Sequence, residues 1–171
     1  MSDNAAADLT ALLAPLAELM SAAATTDPAS PTPCSDWNLS ELTHHLAGNT
    51  ANFAIAAEGG VPDWSKPVES SDPAATFGAA AERLTKAVSN GAPDHVVNMA
   101  CGELAVHTWD LARALGRDTA GLPADTAERG LAFMRPGLEA NGRGAYFAAE
   151  KVAPDGADAY TVLAAFAGRD V

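Results

Sequence analysis

Apolar residues recur along most of this chain at spacings of three and four, the period of helices that bury one face. Leu9, Leu12, Leu13, Leu16 and Met20 form the first such stripe and predict a helix from about Asn4 to Thr25. Pro15 should kink that helix or mark its true start, because proline removes a backbone donor. The stretch "TTDPASPTPCSDW" crowds three prolines into a rigid loop. A second stripe of Leu39, Leu42, Leu46 and Phe53 begins behind Asn38, which can cap while Glu41 reaches back to it. Gly59 and Gly60 should end this helix.

After the long connection "VPDWSKPVESSDP", Asp72 as cap and Pro73 in the first turn open a third helix, ending near Asn90 and Gly91. The fourth runs from about Asp94 or Val97 to Leu115 and stops at Gly116; the fifth runs from about Ala124 to Leu138. "NGRGAYFAAEKVAPDGAD" is poorly patterned, and "AYTVLAAFAG" predicts a short terminal helix. Sustained alternation, hairpin signals and internal repeats are all missing. These elements predict an all-α bundle with long crossover connections and short additional helices, in a single domain over residues 1–171.

Composition agrees: 48% of the residues are hydrophobic, Ala and Leu dominate, and Ile55 is the single isoleucine, which favours helix over strand. The net charge of −12 disfavours nucleic acid, whose binders concentrate Lys and Arg, and equally an anionic membrane surface. No uninterrupted apolar run approaches the roughly 20 residues of a membrane span. The first residues lack a positive region before their apolar stretch, so a cytoplasmic protein is expected. Cys34 and Cys101 are then expected to be reduced thiols.

Chemistry concentrates on "CGELAVHTWDLARALG", residues 101–116. With Glu103 at zero on a helical wheel, His107 lies at about 40° and Asp110 at about 340°, so the three share one narrow face. A Glu and a His four residues apart can hold one metal ion, with Asp110 orienting the imidazole. The same stripe could also be the solvated outside of the helix. Against that, Ala105, Thr108, Ala112, Val106 and Trp109 leave no charged back, and a helix apolar or small nearly all round is usually packed on several sides.

A third ligand would have to come from elsewhere. On the second helix, His45 falls at the edge of the buried stripe and His44 on the far side, so His45 is expected to point inward and His44 outward. A lone inward histidine also suits an ordinary hydrogen-bonded core. His95 reads as a surface residue. Cys34 reads as a small thiol buried in its proline-braced loop rather than a nucleophile, and Cys101 faces away from Glu103.

"TPCSDWNLSELTHHLAGN" resembles a segment of DinB-like helical bundles, in the branch of the mycothiol-dependent maleylpyruvate isomerase metal-binding domain. "GELAVHTWDLARALG" is similar to that branch's Glu-x-x-x-His-x-Trp-Asp-Leu-Ala helix, and "VAPDGADAYTVLAAFAGRDV" resembles the close of its stand-alone members. The resemblance implies that His45, Glu103 and His107 bind a divalent metal, zinc in the first place and nickel, iron or manganese as alternatives. Asp110 would support the ligands, and Trp37 and Trp109 would pack the surroundings. It further implies a metal-dependent S-transferase using mycothiol or a similar thiol on an electrophilic substrate, in a homodimer. A non-enzymatic metal-binding or regulatory bundle is the alternative. The isomerase carries a second, sterol-carrier-like domain that this sequence does not reach, so isomerase activity itself is not expected.

Overall fold

In the computed structural model, residues 4–65, 70–144 and 147–171 are described. Among these residues six helices form: α1 (Ala5–Ala23), α2 (Leu39–Ala57), α3 (Pro73–Ser89), α4 (Asp94–Ala114), α5 (Ala124–Asn141) and α6 (Ala159–Phe166). Among the described residues no strand forms, only an isolated antiparallel bridge between Pro31 and Asn38. The architecture is the expected all-α, DinB-like bundle.

Most helices start where local chemistry can satisfy the free amides of a first turn. Asn4 accepts from the Ala7 amide, and Asp72 from the Ala75 amide with Pro73 behind it. Asn38 and Glu41 complete the predicted capping box at 3.0 and 2.8 Å. Asp158 caps α6 through the amides of Tyr160 and Thr161. Prolines at 93 and 123 precede α4 and α5, which have no side-chain cap.

Pro15 does not start α1, which runs through it from the Asn4 cap. Leu9, Leu12, Leu13, Leu16, Leu19 and Met20 are all buried, and that burial outweighs one lost backbone bond. Pro136 likewise sits inside α5, which continues past the predicted Leu138 to Asn141 before Gly142 turns at φ 75°. By length and composition α1 also passes for a membrane span, at 19 residues and mean hydropathy 1.3. Its leucines, however, lie in the same core as α2, α3 and α4, as expected for a helix enclosed by neighbours.

α1 to α4 form the bundle, with α2 packed on α3 and α4, and α1 on α3 and α4. α5 and α6 lie against α4 and each other. α4 is therefore enclosed on several sides: Leu104, Ala105, Leu111 and Ala112 are fully buried. The α4–α5 seam is unusually close. A Cβ placed on Gly130 would stand 2.5 Å from the Gly102 Cα, so only glycine lets the two backbones meet there.

The two cysteines are free thiols, Cys101 buried and Cys34 half-buried. His95 is exposed, as expected. His44 departs from expectation. It is half-buried, its ring nitrogens 2.7 and 3.0 Å from the carbonyl oxygens of Ser40 and Ser70. The long α2–α3 connection returns over the face that the helical wheel assigned to solvent. Part of that connection, residues 66–69, and residues 145–146 of the poorly patterned segment lie outside the described residues.

Candidate metal centre

Two helices supply the chemistry. α2 presents His45; α4 presents Glu103, His107 and Asp110 on the face read from their spacing. The Glu103 Oε1 lies 3.1 Å from the His45 Nε2 and 3.4 Å from the His107 Nε2. One donor atom from each of the three residues lies within 4.8 Å of the others, the one such group found among the described residues.

The His107 side is closed. His107 is 7% exposed and its Nδ1 lies 2.9 Å from the Asp110 Oδ2. A carboxylate can only accept there, so Nδ1 carries a proton, and Nε2 is the ring nitrogen turned toward Glu103, the one that a bound cation would claim on losing its proton. Asp110 is fully buried and held in turn by Arg169, whose Nε and Nη2 donate to its two oxygens at 3.2 and 2.8 Å. Burial alone would penalise the Asp110 charge, but the bonds from His107 and Arg169 hold its carboxyl below the usual range.

Sequence reasoning gave Arg169 no part, since nothing local pairs it with a residue 59 positions away. Trp109 explains its placement. Trp109 is buried with its Nε1 donating to the Thr161 Oγ1, which anchors α6 to α4 and brings the following turn back over Asp110.

The Glu103 side is more open. The side chains of His45 and Glu103 keep 24% and 32% of their surface exposed. Asn49, one turn beyond His45 on α2, was also missed; its Nδ2 donates to the Glu103 Oε1 at 2.8 Å and lies 2.9 Å from the His45 Nε2. Its signal was present in the four-residue spacing from His45. Burial opposes ionisation of Glu103, but bonds from His107 and His45 prevail and hold its carboxyl well below the usual range. Burial likewise opposes the His107 charge, yet Asp110 and Glu103 prevail and raise it to about 9.

Trp37 roofs the group, its ring centroid 4.2 Å from that of His45 and 5.4 Å from that of His107. The "TPCSDW" loop holds it there: the Trp37 amide donates to the Cys34 carbonyl, and the Thr32 hydroxyl to the Trp37 carbonyl. Burial, with a further push from Asp110, raises the Cys34 thiol above its ordinary value, which suits packing better than nucleophilic attack. Cys101 is pushed up to about 12 by burial, on the side of Arg129 and Asp8.

The donor set fits a divalent cation. Ligands about 2.0–2.1 Å from a tetrahedral ion stand about 3.3 Å apart, which matches the 3.1 and 3.4 Å between Glu103 and the two imidazoles. Two imidazole nitrogens and one carboxylate also have the composition of catalytic rather than structural zinc centres.

Comparison with known proteins agrees with this geometry. Residues 9–112 match the family described as the mycothiol maleylpyruvate isomerase N-terminal domain, a span holding all of α2 and the site residues of α4. The chain is 31% identical to the uncharacterized protein Rv0738 of Mycobacterium tuberculosis strain H37Rv, over 82% of this chain and 84% of that protein. The uncharacterized protein MT0763 of strain CDC 1551 matches with the same figures. No solved structure gives a significant match. A helical bundle with a His-Glu-His group between α2 and α4, matched over most of its length, belongs to the mycothiol maleylpyruvate isomerase N-terminal domain family.

Proposed function

We propose that this protein holds a divalent metal ion on His45, Glu103 and His107, zinc in the first place, and uses it to transfer a mycothiol-type thiol to an electrophilic small molecule. The convergence of two imidazole nitrogens and one carboxylate oxygen, with one side closed and one open, carries the reading. When bound, a divalent cation supplies the charge that holds a thiol as thiolate near neutral pH. The chain's own residues supply the geometry. Asp110 keeps the His107 lone pair aimed at the centre, Asn49 and His45 steady Glu103, and Trp37 shields the imidazoles from water.

In the transfer, the thiol proton passes to water and the sulfur bonds to an electrophilic carbon of the acceptor. The leaving group departs with the electron pair of its broken bond. A cytoplasmic homodimer belongs to the same reading.

The test is purification without chelator, metal analysis, and turnover of 1-chloro-2,4-dinitrobenzene with mycothiol, bacillithiol or glutathione. One metal per chain and thiol-dependent turnover, both lost in His107→Ala, are expected. A metal-free protein that takes up neither added Zn²⁺ nor Ni²⁺ refutes the centre. Metal without turnover shows a binding or regulatory bundle instead.

A further inference from the structure

The exposed edge of Glu103 faces a cleft between α4 and α5. Met99 lines it one turn before Glu103, Phe133, Met134 and Leu138 line it from α5, and Phe147 closes its far side. Its volume is about 420 Å³, within the roughly 300–1,000 Å³ of small-molecule sites. Among the described residues, Glu103 is the one charged residue in this lining, and no cation lines it. Phe133 remains 39% exposed at the mouth, an aromatic ring that the fold itself does not use. Methionine thioethers beside aromatic rings adapt to flat or branched apolar groups.

We propose that this cleft binds an uncharged aryl or alkyl group of the acceptor and so selects apolar electrophiles. The word acceptor rests on the thiol-transfer reading; the binding of an apolar group here does not. In the metal-free chain an anionic group would lose its water beside the Glu103 carboxylate with no Lys or Arg among the described lining residues to offset it, which is costly. Maleylpyruvate, the dicarboxylate in the family's name, would find no cationic side chain among the described residues of this cleft.

The test uses prodan, a neutral naphthalene fluorophore, titrated into the full chain both stripped of metal and loaded with Zn²⁺. Saturable one-to-one binding in both forms is expected. On the metal-stripped chain, 1-naphthalenemethanol should displace the probe at least about tenfold more effectively than 1-naphthoate. Phe133→Asp, at an exposed position, should weaken binding at least about tenfold with circular dichroism and metal content unchanged; Met134→Leu should retain it. Absent saturation, equal displacement by the anion, or indifference to Phe133→Asp overturns the proposal. So does conversion of a wild-type dimer to monomers by Phe133→Asp in sedimentation, which would make the cleft a subunit contact. Prodan binding by a chain that takes up no metal sinks the centre and leaves the cleft; metal uptake without prodan binding does the reverse.

Discussion

Glu103 and His107 stand one turn apart on α4, yet their surroundings are opposite. His107 is 7% exposed and fixed through Asp110 to the half-buried Arg169 fork. Glu103 is 32% exposed on its side chain, steadied by the half-buried Asn49, and borders an apolar cleft. The difference teaches how one helix serves two needs. A buried, fully paired carboxylate fixes the direction of one donor, while a half-open carboxylate leaves room for whatever approaches.

The largest break in this comparison is His107→Ala, expected to lower zinc affinity by more than about 100-fold, since losing a ligand exceeds the 10–100-fold typical of its supporting partner. Competition with a chromogenic chelator measures it. Asp110→Asn comes next. Affinity should fall by about 10–100-fold, and stability in urea by about 3 kcal/mol, because the largely enclosed Arg169 charge then loses its partner. Adding Arg169→Met should recover much of the stability and none of the affinity. If affinity returns as well, Asp110 holds the fold and does not aim the ring.

Asn49→Ala tests the open half and should cost less, about tenfold or under in affinity, because Glu103 still has His45 and His107 beside it. The smallest effect is expected at Asp158→Ala, about 1 kcal/mol in thermal unfolding for a lost helix cap, with metal content unchanged. Burial opposes the Asp158 charge, but bonds from Thr161, Tyr160 and Thr119 hold its carboxyl below the usual range. That contribution is present above the ordinary carboxylate pKa of about 3.9 and is lost as pH falls through the lower folded value. The wild type and the variant should therefore converge in stability in strong acid.

The helices and the grouping of most candidate site residues were legible because their signals are local. The Asn38–Glu41 box, the Asp72–Pro73 start and the Glu103–His107 spacing each lie within one helical turn. His44 and Arg169 were not legible for the opposite reason. The wheel that sent His44 to solvent takes no account of a connection folding back over it, and Arg169 meets Asp110 only after α6 has docked. Pro15 shows the same limit, because its local penalty is overruled by leucines whose partners lie on other helices.

The contact between Gly102 and Gly130 has a consequence for how this cleft could change. Its width is set by two backbones in touch rather than by the side chains that line it. Swapping Met99 or Leu138 for smaller residues would only deepen the cavity in steps of a methylene. A single added methyl at Gly130 would act as a wedge, driving α5 off α4 and displacing Phe133 and Met134 together. Divergence in the size of molecule accommodated is thus easier to achieve by adjusting the hinge line of the seam than by repainting its walls.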